Sequence, residues 1–179
     1  MIWFISDTHY GHKNIVKGES SWTDKSGCRD FPTLAAHDTW LVDSINAKVA
    51  RQDTLWHLGD WSFGGFARVK EFRERLNCER IHVCLGNHDH HLEKYKGLFE
   101  SLQPYKELAP GFVLCHYPIE SWNNMERGVR HLHGHVHGGG VKVSGRVDVG
   151  VDAHGLLSMP DALTLPLATA QRHTTIEGG

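Results

Sequence analysis

The sequence predicts a layered α/β or mixed-sheet domain. Short runs of β-branched and aromatic residues, bounded by Gly, Asp, Asn or Pro, recur along the chain and are typical of strands. In the first half these runs alternate with stretches of helical periodicity, whereas in the second half they follow one another closely. This order favours mixed sheets with helices packed against them.

The positions of the apolar residues predict the individual elements. Over residues 33–49 and 66–76 the apolar residues lie near one helical face, which predicts two amphipathic helices. Residues 17–30 are polar, contain Gly and Ser, and are interpreted as a surface loop. We expect a single domain over residues 1–167 and a polar C-terminal tail over residues 168–179. The predicted strands comprise residues 2–5, 55–58, 81–85, 112–115, 129–132 and 147–151.

The composition limits the class of partner. No apolar run approaches the roughly eighteen residues that cross a membrane, and the apolar N-terminal segment ends at Ile5, which is too short for a signal peptide. We therefore expect a cytoplasmic protein without a membrane partner. The formal net charge of −2 argues against broad binding to nucleic acid, which needs a basic face. No sequence feature predicts an oligomeric state.

Potential metal ligands follow five of the predicted strands. Because ligands gather at the carboxyl ends of strands in α/β folds, we expect these side chains on one rim. Residues two apart on an extended segment point the same way, so Asp7 and His9 can hold one ion together, as can His135 and His137. The candidate ligands are Asp7, His9, Asp60, Asn87, His116, His135 and His137.

This ligand set predicts two divalent metal ions. Mixed nitrogen and carboxylate ligands suit manganese, iron, zinc, cobalt or nickel better than calcium or magnesium, and we expect manganese, with the other four as alternatives. Seven ligands exceed the four of a tetrahedral zinc site and suit two ions that share a carboxylate, roughly 3.5–4 Å apart. Asp60 is the expected bridge because it has two carboxylate oxygens and no paired neighbouring ligand.

The metal-binding blocks and their order resemble those of the calcineurin-like metallophosphoesterase superfamily. The blocks span residues 7–137, and residues 6–12 are most similar to compact bacterial and phage members. The resemblance implies an α/β (α+β) fold in which two mixed β-sheets pack as a sandwich flanked by helices. The blocks are Asp7-x-His9, Gly59-Asp60, Gly86-Asn87-His88-Asp89, His116 and Gly134-His135-x-His137.

The resemblance also implies a role for each residue of the site. His88 is not expected to bind metal; it would face the phosphate and either protonate the leaving oxygen or stabilise the phosphoryl charge. Asp89 would hold the His88 imidazole in orientation. The implied ligands of the first ion are Asp7, His9, Asp60 and His137, and those of the second ion are Asp60, Asn87, His116 and His135.

The predicted reaction is hydrolysis of a phosphodiester, in a small nucleotide-like or aryl substrate, by metal-activated hydroxide. Protein phosphatases of the superfamily carry an arginine soon after the Gly-Asp block, whereas residues 61–65 contain none. The alternatives are a phosphomonoesterase and a nuclease acting on DNA or RNA, so nucleic acid is a less favoured partner than a small phosphoester. A non-catalytic metal-binding module is least favoured, because His88 and Asp89 are not needed to hold metal.

Two residues are predicted to contact the substrate. His12 and Asn14 follow the first ligand pair closely and could reach the substrate phosphate, with ordinary loop residues as the alternative. Asp152 and His154 repeat the spacing of the first block, but we interpret them as a structural turn.

Aromatic residues lie just beyond Asp60 in the sequence. Trp61, Phe63 and Phe66 are predicted to pack against the following helix, with stacking on a base or aryl group as the alternative. The histidines at positions 57, 82, 131 and 133 alternate with apolar neighbours and are interpreted as sheet-face residues rather than ligands.

Overall fold

The structure, a computed structural model, describes residues 1–166. Its helices are α1 (Leu34–Asn46), α2 (Gly65–Arg75) and α3 (Met159–Thr164), with short 3-10 segments at Lys13–Ile15, Leu92–Leu98 and Met125–Arg127. Its strands are β1 (Ile2–Ile5), β2 (Thr54–His57), β3 (Arg80–Cys84), β4 (Ser101–Gln103), β5 (Tyr105–Leu108), β6 (Phe112–Cys115), β7 (Arg130–His133), β8 (Arg146–Asp148) and β9 (Leu157–Ser158).

The strands form two mixed sheets. The five-stranded sheet has the order β4-β3-β2-β1-β9, in which β1 to β4 are parallel and β9 is antiparallel to β1. The four-stranded sheet has the order β5-β6-β7-β8, in which β5 alone pairs in antiparallel fashion. Parallel strands end at the same edge of their sheet, so residues that follow β1, β2 and β3 share one edge, as do those that follow β6 and β7.

The side chains of the central strands alternate between two apolar layers. Phe4 and Trp56 point towards the second sheet and pack in one buried cluster with Phe112 and Leu114. The rings of Phe4 and Phe112 lie 5.2 Å apart, centroid to centroid, which places the two sheets face to face. The neighbouring residue Ile5 points the opposite way, into a second cluster beneath the helices, as the period of two in a strand requires.

The helices cover the outer face of the five-stranded sheet. Leu41 and Ile45 of α1 and Phe72 of α2 are buried with Leu55 of β2 in this second cluster. The α1 helix begins at a capping residue, Thr33, whose Oγ1 accepts the Ala36 amide at 3.1 Å. The expected sandwich of two mixed sheets flanked by helices is therefore confirmed.

The predicted elements match the structure where burial is strong. Each predicted strand overlaps a strand of the structure, and the two predicted helices coincide with α1 and α2. The elements that were not predicted are β4, β5, β9 and α3. The β5 strand is an exposed or half-buried edge strand, so it lacks the apolar pattern on which a prediction relies.

The remaining large-scale predictions concern the tail and the membrane. The predicted polar tail over residues 168–179 lies outside the described residues. Within residues 1–166, no helix combines the length and the apolar character needed to cross a membrane.

Candidate metal centre

Four of the predicted ligands form a first group at the joined edges of the two sheets. The Nε2 atom of His9 lies 3.4 Å from Nε2 of His137. The same atom of His9 lies 4.0 Å from Oδ1 of Asp7 and 3.7 Å from Oδ2 of Asp60. Oδ1 of Asp7 is in turn 3.8 Å from Nε2 of His137. Two imidazole nitrogens and two carboxylates thus face one small space, a donor set that suits a divalent cation.

The other predicted ligands form a second group beside the first. Oδ1 of Asn87 lies 3.0 Å from Nε2 of His116 and 3.0 Å from Nδ1 of His135. Nε2 of His116 lies 3.6 Å from Oδ2 of Asp60. Oδ2 of Asp60 therefore borders both groups, which is the position expected of a shared ligand.

The site has a buried floor and an exposed rim. The floor consists of Asp7, His9, Asp60 and His116, whose exposed fractions are 0%, 4%, 2% and 0%. The rim consists of Asn87, His88, His135 and His137, all of which are exposed. A substrate can consequently approach the groups from the rim, while the floor is closed to solvent.

The chain adopts left-handed backbone conformations at the predicted ligands. Among the described residues, six that are not glycine have positive φ, and five of them are predicted ligands with φ between 47° and 73°. Side chains other than glycine adopt this region rarely, and such residues cluster at functional sites, where the surrounding structure holds them. The five are Asp7, His9, Asp60, His135 and His137.

Backbone hydrogen bonds hold these turns against each other. The amides of Asp7 and His9 donate to the carbonyls of Gly59 and Asp60, each at 3.0 Å. The amide of His135 donates to the Asp7 carboxylate at 3.0 Å. The turns after β1, β2 and β7 thus fix one another, which pre-organises the groups.

Two glycines allow the turns to approach the carboxylates closely. A Cβ atom at Gly86 would overlap Oδ1 of Asp60, and one at Gly134 would overlap Oδ2 of Asp7. Any larger residue at either position would displace a carboxylate of the floor.

The electrostatics of the floor favour a bound cation. Burial raises the pKa of Asp7 to about 6 and lowers the pKa of His9 to about 2. His9 is therefore a neutral ring with a lone pair to offer, and the buried Asp7 carboxylate lacks compensation by solvent. A divalent cation in the first group would offset the cost of burying the Asp7 and Asp60 carboxylates so close together.

Asp89 occupies a different place from the one predicted. Its side chain is fully buried and accepts the amides of Asp60, Trp61 and Gly86 at 2.7, 2.9 and 2.9 Å. Burial raises its pKa, although these backbone hydrogen bonds oppose the shift. Both carboxylate oxygens are thus directed to the turns after β2 and β3, so Asp89 positions Asp60 rather than the His88 imidazole.

His88 lies on the rim without belonging to either ligand group. Its ring centroid is 5.7 Å from that of His9 and 4.8 Å from that of Phe63. Its amide donates to Oδ1 of Asp60 at 3.0 Å. The backbone of His88 is therefore anchored to the shared carboxylate, while its exposed ring lies beside the His9 ring.

The two predicted substrate contacts differ in their surroundings. His12 stacks on Phe63 with ring centroids 3.9 Å apart, and its ring lies 5.9 Å from that of His9. Oδ1 of Asn14 accepts the amide and the hydroxyl of Ser21 at 3.0 and 2.9 Å. His12 thus borders the site, whereas Asn14 closes its own loop; for both, contact with substrate stays a prediction.

Sequence reasoning missed two residues that contact the first group. Oδ2 of Asp152, interpreted as part of a turn, lies 2.7 Å from Nδ1 of His137, and this hydrogen bond raises the pKa of His137 against the effect of burial. Burial opposes ionisation of Asp152, but hydrogen bonds from Arg29 and His137 hold its pKa well below the usual range. Arg29 falls in the segment interpreted as a surface loop, yet it is only 7% exposed.

Three of the histidines that were predicted to lie on sheet faces pair with other groups of the protein through ring nitrogens. Nε2 of His57 pairs with Oγ1 of Thr8 at 2.8 Å. Nδ1 of His131 pairs with the Val113 carbonyl at 3.1 Å, and Nδ1 of His133 pairs with the Gly134 carbonyl at 2.9 Å. These rings lie outside the two ligand groups.

A separate cavity of about 610 Å³ lies behind the turn that carries His135 and His137. Asp152 and residues 138–143 contribute to its lining, but the seven predicted ligands do not. The two ligand groups therefore lie outside this cavity.

Fold and site together define a class. A sandwich of mixed sheets that presents carboxylate, amide and imidazole ligands at its joined strand ends is typical of metal-dependent hydrolases of phosphate esters. The chain belongs to the calcineurin-like phosphoesterase family, whose model matches residues 1–164. Membership supports metal-dependent hydrolysis of phosphoesters by this chain.

Similar proteins come from phages and from an archaeon. The chain is 26% identical over 195 residues to the Gene 66 protein of Mycobacterium phage D29, an alignment that covers 89% of this chain and 92% of the phage protein. It is 31% identical over 139 residues to an uncharacterized protein of Methanocaldococcus jannaschii, covering 76% of this chain and 69% of that protein.

One solved structure shares the fold. A protein of unknown function from Aquifex aeolicus superposes with a TM-score of 0.57 and 22% sequence identity, covering 85% of this chain and 90% of that chain. At this level of identity the likeness concerns the fold alone.

Proposed function

We propose that this protein hydrolyses phosphodiesters with two divalent metal ions, one in each ligand group. The observation that carries the proposal is the position of Asp60, whose Oδ2 lies 3.7 Å from His9 Nε2 and 3.6 Å from His116 Nε2. One carboxylate oxygen within reach of two separate imidazole groups is the arrangement that a pair of bridged cations needs.

Each group has a defined ligand set. Asp7, His9, Asp60 and His137 would hold the first ion, and Asp60, Asn87, His116 and His135 would hold the second. When bound, the ions would acidify a water molecule and neutralise charge on the phosphoryl oxygens. Manganese suits this mixture of imidazole and carboxylate, and iron, zinc, nickel and cobalt are alternatives.

His88 is the proposed proton donor to the leaving oxygen. The hydrogen bond from its amide to Asp60 fixes the backbone of His88 next to the shared carboxylate. Its exposed ring lies beside the first group. An imidazole can hold and release a proton near neutral pH. A general acid at this position is worth roughly 10²–10⁴-fold in rate.

The aromatic residues near the rim favour an aryl or nucleoside substituent on the substrate. Phe63 lies between His12 and His88, and Trp22, whose exposed fraction is 46%, meets the His12 ring edge-on at 5.9 Å. By contrast, Trp61 packs in the core and Phe66 packs on Tyr95. Trp61 and Phe66 therefore pack against other residues of the protein. Phe63, His12 and Trp22 form an aromatic wall next to the proposed proton donor, where a flat ring can stack.

A phosphodiester is favoured over a monoester by the contacts of Arg29, the one arginine that is buried among residues 1–166. A monoester dianion carries an additional charge that a guanidinium could bind in bidentate fashion. Arg29 is instead engaged by Asp152 and by the carbonyls of Asp7 and Thr8. Its guanidinium is therefore not free to receive the substrate.

A paired assay tests this proposal. Purified protein loaded with Mn²⁺ is expected to cleave bis(p-nitrophenyl) phosphate faster than p-nitrophenyl phosphate, and a chelator should abolish both reactions. A clear preference for the monoester would contradict the diester proposal. Faster cleavage of single-stranded DNA or RNA than of the small diester would favour the nuclease alternative instead.

A further inference from the structure

Arg29 is the most highly connected side chain next to the metal centre. Its Nε and Nη2 atoms donate to Oδ1 and Oδ2 of Asp152, both at 2.8 Å. Nη2 also donates to the Asp7 carbonyl at 2.6 Å, and Nη1 donates to the Thr8 carbonyl at 2.9 Å. A planar guanidinium supports this fork geometry, and a lysine ammonium would not.

Asp152 transmits this anchoring to a ligand ring. Its Oδ2, which accepts Arg29 Nη2, also accepts Nδ1 of His137 at 2.7 Å. A proton on Nδ1 leaves the lone pair on Nε2, and Nε2 of His137 is the atom that lies 3.4 Å from Nε2 of His9. The hydrogen bond therefore selects the tautomer that can bind an ion in the first group.

We infer that Arg29 and Asp152 form a positioning clamp for the first ion. One end of the clamp holds the backbone of the turn after β1, which carries Asp7, and the other end holds the His137 ring on the turn after β7. Two ligands that lie far apart in the sequence and on different sheets are thereby fixed by one ion pair. This inference rests on the proposed metal site. It adds that Arg29 and Asp152 set the affinity of that site for the first ion.

The second group is held differently. Nδ1 of His116 pairs with the carbonyl of Leu58 at 2.8 Å, so a backbone group selects its tautomer. His116 Nε2 lies 3.6 Å from Oδ2 of the shared ligand Asp60, but among the described residues no arginine–carboxylate pair like that of Arg29 and Asp152 contacts His116 or His135. Loss of the clamp should therefore weaken the first ion selectively and leave the second largely unaffected.

The clamp extends into the first helix. Nη1 of Arg29 lies 2.9 Å from Nε2 of His37, and Nδ1 of His37 lies 2.9 Å from Oδ1 of Asp38. Oδ1 of Asp38 also accepts the Gly11 amide at 3.2 Å. The arginine is thus fully engaged, and a variant that removes it leaves several buried partners without a donor.

The experiment compares Asp152→Ala with a matched variant, Asp148→Ala. Asp148 accepts the amides of Gly138 and Gly150 at 2.8 Å, so it anchors the same turns through backbone groups alone. Metal-free wild type and both variants are titrated with Mn²⁺ by calorimetry, and the imidazole tautomers of the metal-free proteins are assigned by ¹⁵N NMR. Arg29→Lys is measured in parallel because it keeps the charge and loses the fork.

We expect Asp152→Ala to weaken one of two Mn²⁺ sites by roughly 10–100-fold, the usual effect of removing a partner of a metal-binding histidine. The other site should keep its affinity, and His137 should lose its fixed Nδ1-protonated tautomer. Arg29→Lys should give a smaller loss at the same site, and Asp148→Ala should retain both affinities and the tautomer.

Two results would overturn the inference while the proposed function stands. One is an Asp152→Ala protein that binds both ions as tightly as wild type. The other is an equal weakening of both sites, matched by Asp148→Ala, which would mean a merely structural role. Wild-type protein that binds no Mn²⁺ at all would instead overturn the proposed function, and the clamp with it.

Discussion

The floor and the rim of the metal centre are built by different means. The floor residues Asp7, His9, Asp60 and His116 are buried, and interlocked turns of the backbone hold them in place. The rim residues are exposed, and specific hydrogen bonds orient them, as Asp152 does for His137. The floor is therefore part of the folded core, whereas we expect substitutions on the rim to leave the protein folded.

The largest effect is expected when the shared floor ligand is removed. Asp60→Ala deprives both groups of a carboxylate, so we expect it to lose at least one ion. Activity should fall by more than about 10⁴-fold, because the ions supply several kcal/mol of transition-state stabilisation. Metal content by elemental analysis and the rate on bis(p-nitrophenyl) phosphate measure the two consequences.

A rim ligand provides the comparison for Asp60. Asn87→Ala should remove a ligand of the second ion alone, keep the first ion, and leave the thermal unfolding of the metal-free protein unchanged. If Asn87→Ala unfolded the metal-free protein, the division into floor and rim would be wrong.

The next largest effect is expected at a rim residue that binds no metal. His88→Ala should keep both ions and lose roughly 10²–10⁴-fold in rate, the usual contribution of a general acid. The loss should shrink for substrates whose leaving group needs no proton, so a series of phenols of decreasing pKa measures the role directly. A variant that stays fully active across the series would show that His88 has no such role.

The buried histidines make the stability of the metal-free protein depend on pH. Burial lowers the pKa of His57 to about 3 and that of His131 to about 4, and that of His9 to about 2. The unfolded chain takes up protons below about pH 6.5 that the folded chain refuses, so stability falls as the pH drops from about 7 towards 4. Asp7, with a pKa raised to about 6, acts in the opposite sense, as do Asp89 and His137, whose pKa values are also raised. The histidines whose pKa is lowered outnumber these three groups.

Urea unfolding of the metal-free protein at several pH values between 7 and 4 measures this slope. His131→Gln removes one buried histidine that lies outside both ligand groups, so it should flatten the slope without changing metal binding. A free energy of unfolding that increased steadily as the pH fell would show that these buried histidines are not neutral in the folded protein.

The convergence of the candidate ligands could be predicted from the sequence because these residues follow apolar strands directly. The run before Asp7 or Asp60 is mostly apolar and largely buried, and the topology of parallel strands then brings their ends together. Arg29 and Asp152 could not be predicted in this way. They are 123 residues apart. Arg29 lies in a polar segment, and although Asp152 follows the predicted strand 147–151, its position in the sequence does not identify its partner, because only the packing of the two sheets brings the two residues together.

The role predicted for Asp89 was wrong because the three-dimensional path of the chain, which the sequence does not reveal, decides what its carboxylate contacts. A carboxylate next to a histidine in the sequence is a natural partner for its ring, but the turn after β3 directs Asp89 inward to three backbone amides. Weak edge elements such as β5 and β9 escaped prediction because they carry little apolar pattern of their own.

The smallest effect is expected at the aromatic wall of the rim. Trp22→Leu should raise the KM for aryl phosphodiesters by roughly 2–10-fold, since an aromatic contact is worth about 0.5–1.5 kcal/mol, and should leave kcat nearly unchanged. Phe66→Leu is the matched control, because Phe66 is similarly exposed at 47% but packs on Tyr95. Equal effects of the two substitutions would show that the wall does not contact the substrate.

Electron paramagnetic resonance of Mn²⁺-loaded protein is the sharpest test of whether two cations share Asp60. We expect two Mn²⁺ ions per chain with a spin-coupled spectrum, because the ions would lie roughly 3.5–4 Å apart. Loss of the spin coupling in Asp60→Ala would show that the coupling depends on the shared carboxylate. A single ion per chain at saturation, or two ions with the spectrum of isolated Mn²⁺, would contradict the claim.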